Sequence, residues 1–287
     1  MATSCAQKNI QGHPCFGGNH HKNGRMHLAV APRCNIKCGY CSRKHDCANE
    51  NRPGVASRIL TPTEALEKVR EVMASDLLGP IIKVIGIAGP GDPLANQETF
   101  DTFGMIGDEF PHLIKCMSTN GLLLPEKVDL LNELNLCSLT VTVNALDPEI
   151  GATIYSFINY HGKRYSGVEA AEILIANQLE GIRMAVGYGM TVKVNTVFIP
   201  GVNDGQIPLL ARKIKGLGAA VMNVMPIIPQ ADFSHIAPPD PKQMEEIRTV
   251  NEKIIGQMKH CQHCRADAVG LIGQNMEFAR VGCEIKR

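Results

Sequence analysis

Cys34, Cys38 and Cys41, in the run Arg33-Cys34-Asn35-Ile36-Lys37-Cys38-Gly39-Tyr40-Cys41, have the spacing Cys-x3-Cys-x2-Cys. Three thiolates on one short loop can hold three irons of a [4Fe–4S] cluster, leaving the fourth iron for another ligand. A closed electron-transfer cluster takes four cysteines, so three point to an iron that must bind something else. The alternatives are a zinc site, for which paired Cys-x2-Cys arms are the usual form, or three unrelated buried cysteines.

A second layer of donors surrounds this triad. Cys261-Gln262-His263-Cys264 supplies a Cys-x2-Cys pair of the kind shared by zinc knuckles, redox dithiols and clusters. A thioredoxin-type dithiol would follow the first strand of a small βαβ domain, which this pair does not. Beside an iron–sulfur signature, cluster ligation is the better account. Cys15, His20, His21 and Cys47 bracket the triad, and Cys116 closes a candidate strand. Cys116 has an alternative role as a small buried hydrophobe, and either His20 or His21 can be the nitrogen donor. Cys137 reads as core, and Cys5 and Cys283 lie near the termini. Beyond the triad there remain Cys15, one histidine, Cys47, Cys116, Cys261 and Cys264. Six donors exceed the needs of one four-iron cube and suit two incompletely ligated clusters, meant to be altered or released.

These donors must be positioned by a scaffold. Short β-branched runs at 27–32, 81–88, 113–118, 138–143, 191–198 and 219–225 alternate with amphipathic runs at 62–75, 97–110, 125–134, 168–180, 206–216 and 241–259. Strand followed by helix at this spacing predicts parallel βαβ units, and six of them favour an α/β, TIM-like barrel, whole or partial. Thr61-Pro62-Thr63-Glu64 is a helix start with a capping-box acid. The expected organisation is an irregular Cys/His-rich arm over 1–26, a barrel over 27–260 and a cluster-ligating extension over 261–287. Barrel sites lie at the C-terminal ends of strands. That is where the reading puts the triad and the loop Gly89-Pro90-Gly91-Asp92-Pro93.

Bulk properties exclude other classes. Among 287 residues, 29 basic side chains nearly balance 28 acidic ones, and Trp is absent, so nothing argues for a nucleic-acid partner. No apolar run is long enough to span a bilayer, and the first residues lack the form of a signal peptide, so the expectation is a cytoplasmic protein with no membrane partner. Eleven cysteines in a reducing compartment are better explained as metal ligands than as disulfides. Nothing requires more than a monomer.

The triad resembles that of the radical S-adenosylmethionine (SAM) enzymes, and the wider pattern resembles their NifB family. The likeness includes His13-Pro14-Cys15, Arg25 to Pro32, Asp46-Cys47-Ala48-Asn49-Glu50, Arg52-Pro53-Gly54-Val55 and Gly89 to Ala95. It continues through Ser118-Thr119-Asn120-Gly121-Leu122, Thr142-Val143-Asn144-Ala145, Val194-Asn195-Thr196-Val197 and Cys261 to Ala268. The chain stops soon after its Cys-x2-Cys pair, as in the short stand-alone members without a C-terminal carrier-like domain. The resemblance therefore implies delivery to a separate cofactor carrier.

The resemblance further implies that Cys34, Cys38 and Cys41 hold the cluster that binds SAM, and that the six other donors hold two auxiliary four-iron clusters. One SAM would methylate a cluster sulfide. A second, cleaved reductively, would give the 5′-deoxyadenosyl radical that removes hydrogen from that methyl. Further hydrogen loss, fusion of the two clusters and addition of a sulfur would give the eight-iron, carbide-centred precursor of the nitrogenase cofactor. Cluster-delivery proteins and an electron donor are implied partners. In the superfamily the loop after the second strand meets the amino group of SAM, here Gly89, Gly91 and Asp92, with Asp92 alternatively a helix cap. Asn144 and Asn195 either reach the ribose or are ordinary polar barrel residues. Two other functions stay open: a radical-SAM enzyme acting on a peptide or small molecule, and an iron–sulfur or zinc scaffold.

Overall fold

The computed structural model describes residues 10–16, 19–44, 46–48, 56, 58–261 and 264–273. The motif residues Asn49, Glu50, Arg52 to Val55, Gln262 and His263 lie outside these, as do Cys5, Cys283 and most of the 261–287 extension.

Six parallel strands carry the architecture: β1 (Gly24–His27), β3 (Ile82–Ile87), β4 (Ile114–Thr119), β5 (Leu136–Thr142), β8 (Thr191–Phe198) and β9 (Val221–Pro226). They line up in that order, with β10 (Val269–Gly270) added antiparallel to β1, in a sheet that does not close. This is the partial form of the expected barrel. Helices α1 (Pro62–Met73), α2 (Gln97–Glu109), α3 (Leu124–Glu133), α5 (Gly167–Gly187) and α6 (Gln206–Gly216) connect the strands, and α7 (Pro241–Glu252) follows the last parallel one. The start of α1 is held by the predicted capping box, Thr61 with Glu64, a device worth about 1 kcal/mol.

Alternation along the strands divides the sheet into two faces. Ile85, Met117, Leu139, Val141, Val192 and Val194 pack with buried helix residues such as Val69, Phe103, Leu131 and Ile182 in one core. Each fully buried aliphatic side chain there contributes roughly 1.5–3 kcal/mol. The opposite face carries Arg25, Gly86, Cys116, Ser118, Thr140, Lys193 and Asn195, all on the wall of one cavity.

Three expectations need correction. The first strand is Gly24–His27, not 27–32. The apolar residues after it are buried, but the Val30 amide bonds back to Leu28 O at 3.1 Å and interrupts the extended chain. Helix α5 runs on to Gly187 because Ile182 and Ala185 continue its buried face. Helix α7 stops at Glu252 rather than 259, and Gly256 and Met258 then exchange backbone hydrogen bonds with Met222 of β9.

The sequence reading missed one unit entirely. Helix α4 (Pro148–Ile154) leads into β6 (Tyr155–Tyr160) and β7 (Lys163–Tyr165), which with β2 (Ile36–Cys38) form a second, three-stranded sheet. That sheet incorporates Cys38, the middle cysteine of the triad.

Candidate functional site

Cys38 ends β2, where it pairs with Tyr155 of β6, while Ile36 pairs with Ile158. Gly39 N donates to Ile154 O at 2.8 Å, Cys41 N to Cys38 O at 3.0 Å, and Asn159 N to Asn35 O at 2.7 Å. Beneath the loop lies an apolar cluster of Ile36, Tyr40, Leu122, Ile154, Tyr155 and Ile158. Gly39 leaves room for the Phe233 ring, which a Cβ there would approach to 2.9 Å. Arg43 donates to the carbonyls of Cys34 and Ile36, and Lys37 to that of Cys41. The loop is thus held by hydrogen bonds, and its three cysteines line one cavity with about 700 Å³ of empty space, counting the part open to solvent.

The same cavity is lined by Pro90, Gly91 and Asp92 beyond β3, by Ser118, Thr119 and Asn120 at the end of β4, and by Thr142 at the end of β5. This is the C-terminal rim of the parallel strands. A Cβ at Gly91 would lie 2.2 Å from Arg33 O, so only glycine lets the two loops cross. Its amide donates to Ala31 O at 2.6 Å, and Asp92 N donates to Arg33 O at 2.8 Å. The buried Asp92 carboxylate accepts from Leu94 N at 3.0 Å, from the Thr119 hydroxyl at 2.9 Å and from Asn120 N at 2.6 Å. Burial nevertheless pushes this carboxyl up to about 6. The capping role of Asp92 is therefore present, and the residue also faces the cavity. Burial likewise raises the Cys34 thiol to about 11, so a metal must displace its proton to be bound there.

A second cavity, also about 700 Å³, adjoins the first at Ser118, which lines both. Cys15, Cys116, Cys261 and Cys264 line it, together with His13, His27, Arg25 and Lys193, and no carboxylate occurs among its described lining residues. Cys116 sits in the middle of β4, opposite Gly86 and Ser138, rather than at the strand end. Arg25, 2% exposed, donates to Cys264 Sγ at 3.1 and 3.3 Å and to the carbonyls of Gly270 and Leu271. Burial pushes the Cys15 thiol up to about 12. It also holds His27 down at about 4, with the positive charge of Arg25 adding to the effect, and His13 at about 3.

The structure therefore divides the predicted donors. Cys15, Cys116, Cys261 and Cys264 share the second cavity, whereas Cys47 lines the first with Cys34, Cys38 and Cys41, its amide donating to Pro90 O. His20 and His21 line neither; His20 stacks on His260 with ring centroids 4.6 Å apart. Asn144 is fully buried and lines neither cavity, its amide donating to Tyr40 Oη at 2.7 Å and accepting from Val197 N at 2.9 Å. Asn195 lines the second cavity and accepts from Asn223. Gly89 stands at φ 145°, turning the chain beside the first cavity.

Sequence reading missed His13 and His27 as wall residues, along with Arg25 and Lys193. One signal for them existed. Strands with buried apolar residues at Leu139, Val141, Val192 and Val194 carry polar ones between them, at Thr140, Lys193 and Asn195. Such alternation in an interior parallel strand marks a face turned to something other than core. Room for His27 is made by Gly86, where a Cβ would meet the ring at 2.7 Å.

Among the described residues, no three His, Cys, Asp or Glu side chains gather closely enough for a single ion. Tetrahedral zinc with Zn–S bonds of about 2.3 Å needs ligand atoms roughly 3.8 Å apart.

Residues 28–214 match the family model of the Radical SAM superfamily. The FeMo cofactor biosynthesis protein NifB of Chlorobaculum tepidum is 45% identical over 270 residues, which are 93% of this chain and 63% of that protein. The NifB of Klebsiella pneumoniae is 46% identical over 271 residues, 92% of this chain and 57% of the relative. The chain thus spans less than two thirds of the length of these relatives. Among solved structures, Streptococcus suis SuiB superposes with a TM-score of 0.55 at 14% identity, covering 82% of this chain and 47% of its own. Methylornithine synthase (PylB) gives 0.54 at 14% identity, covering 93% and 80%. At such identity these two speak to the fold, an open parallel barrel, while the family match rests on sequence. The chain belongs to the Radical SAM superfamily.

Proposed function

We propose that this chain is a radical-SAM cofactor maturase that inserts a carbide and fuses two four-iron clusters into the eight-iron precursor of a nitrogenase cofactor. The observation that carries the reading is the pair of adjoining cavities. One is lined by the triad, the other by four cysteines, two histidines and two cations. The similarity to the NifB relatives supports the same assignment.

The residues fit the groups this requires. Cys34, Cys38 and Cys41 would hold the [4Fe–4S] cluster with SAM, which when bound supplies the electron for cleaving SAM and the carbon radical that takes hydrogen. Asp92, with Thr119 and Asn120 fixed on it, gives the rim an anionic group for an ammonium, and the Gly91 crossing lets backbone approach closely. The cavity wall would hold the reactants together, the positioning effect on which such chemistry depends.

The second cavity suits a polyanionic inorganic substrate. Arg25 and Lys193 on its wall give the cavity a positive character, which an anionic iron–sulfur cluster would complement. His27 Nδ1 lies 3.0 Å from Arg265 O, which only accepts, so Nδ1 carries the proton and Nε2 presents its lone pair. An imidazole held in this way by its other nitrogen is the usual form of a histidine metal ligand. Two auxiliary clusters held by Cys15, Cys116, Cys261, Cys264 and His27 would be substrates. One SAM would methylate a cluster sulfide, and a second would drive loss of hydrogen from that methyl. Ser118, shared by both cavities, marks the boundary the reacting carbon would cross. The reading also calls for cluster-delivery proteins, an electron donor, a cofactor carrier and a reducing, cytoplasmic setting. Among the described residues no helix is long and apolar enough to cross a membrane.

Product analysis after anaerobic reconstitution with iron and sulfide, then addition of SAM and dithionite, tests the proposal. The expected result is about twelve irons per chain, three four-iron clusters, and S-adenosylhomocysteine together with 5′-deoxyadenosine. 5′-Deoxyadenosine alone would indicate a radical enzyme for a peptide or small molecule. Neither product, with three clusters present, would indicate a scaffold.

A further inference from the structure

His13 is 2% exposed, lines the second cavity, and has a buried Nε2 with no hydrogen-bond partner among the described residues. Its other ring nitrogen, Nδ1, accepts from the Cys15 amide at 3.0 Å. A nitrogen that accepts from an N–H carries no proton itself, so the imidazole proton resides on Nε2. His27 is the opposite tautomer, with its proton on Nδ1 toward Arg265 O. Two histidines on one cavity wall thus offer different things. His27 presents a lone pair and His13 presents an N–H.

An Nε2 bearing a proton has no lone pair for iron, and a buried N–H left without an acceptor is destabilising. Among the described residues nothing relieves it, which leaves the occupant of the cavity to do so. We propose that His13 is a positioning residue that donates a hydrogen bond from Nε2–H to a sulfur of the iron–sulfur cluster in the second cavity, and is not an iron ligand. This rests on the reading that such a cluster occupies that cavity. The bond would orient the cluster, tie its electronic state to the segment carrying Cys15, and stabilise its more reduced, more negative form, since hydrogen bonds to sulfur help set cluster potentials.

Two variants separate the functions of the ring. In His13→Asn the side-chain oxygen can replace Nδ1 as acceptor for the Cys15 amide, but no donor reaches the Nε2 position. In His13→Gln the amide nitrogen replaces Nε2, and the Nδ1 acceptor is lost. The measurement is an EPR-monitored redox titration of the fully reconstituted full chain, with iron counted in parallel. The expected result is an auxiliary-cluster potential more negative in His13→Asn, returning toward wild type in His13→Gln. An unchanged potential in His13→Asn at full iron content, or equal shifts in both variants, overturns the proposal. Loss of iron in His13→Asn but not in His13→Gln supports the donor role.

If neither variant loads iron, the wild-type protein decides. Electron–nuclear double resonance with 15N-histidine should show a weakly coupled nitrogen and a deuterium-exchangeable proton, distinct from any directly bound nitrogen. Their absence overturns the assignment. Wild-type protein that stops at about four irons, one cluster, would remove the cavity reading and this inference together. About twelve irons, three clusters, with no His13 effect would remove this inference alone.

Discussion

The two cavities collect their cysteines in opposite ways. The first takes three from one loop, Cys34 to Cys41, whereas the second draws on the segment before β1, the middle of β4 and the segment after α7. Closing a chain between residues 15 and 264 costs about 3 kcal/mol more than closing the triad loop, from the logarithmic dependence on loop length. The second set therefore exists only once the sheet has formed, while the first is nearly complete as a local motif. Charge separates them as well. The first has Asp92 and Arg43 in its wall, one charge of each sign, and the second has Arg25 and Lys193 with no described carboxylate.

Removing one ligand from each cavity tests whether they are separate. Cys38→Ala should abolish SAM cleavage and remove about four of about twelve irons, leaving the auxiliary iron in place. Cys116→Ala should retain 5′-deoxyadenosine formation while methyl transfer falls by at least about tenfold, the lower end of what losing a ligand's mere supporting partner costs. Chromatography of the two nucleoside products with iron analysis measures both. If Cys116→Ala also stopped SAM cleavage, the cavities would act as one unit and the comparison would fail.

A smaller effect is a pair of opposed pH dependences in the metal-free protein. Asp92 is held at about 6 in the folded chain against 3.8 unfolded. Between about pH 4 and 6 the folded state keeps a proton that the unfolded state has lost. Its contribution to stability therefore falls as pH rises through that window, by about 3 kcal/mol at about 1.4 per pH unit. His27 is depressed from 6.5 to about 4. Its contribution is fully present above 6.5 and is lost as pH falls toward 4, again by about 3 kcal/mol. Urea denaturation from pH 4 to 7 should show a steeper rise of stability with pH in Asp92→Asn and a shallower one in His27→Phe. Parallel curves for all three proteins would show that neither group titrates as its burial requires.

Much of the scaffold was readable in advance, because local rules govern it. The capping box at Thr61 and Glu64 and the buried stripe Ala65, Leu66, Val69 and Val72 announce α1. Strand β8 was read at its observed bounds from a β-branched run. The hairpin β6–β7 was not. Its outer positions, such as Ser156, Lys163 and Arg164, are exposed, and its role depends on pairing with β2, more than a hundred residues earlier in the chain. The histidine His27 on the wall of the second cavity was passed over for a related reason. His20 and His21 look like a ligand pair in sequence, whereas His27 hides in the apolar run after Arg25. Only the approach of Gly86 and Arg265 shows which way its ring faces.

By itself the sequence determined the spacing of the triad and the parallel α/β frame, since thiol spacing on a loop and apolar periodicity act over a few residues. Only the tertiary structure decided which donors share a wall, that Cys47 faces the triad while Cys116 faces the second cavity, and which nitrogen of each histidine carries its proton. Those outcomes depend on strand register and on backbone groups brought close from distant segments. No local pattern encodes such contacts, because each becomes favourable only after the rest of the sheet has assembled.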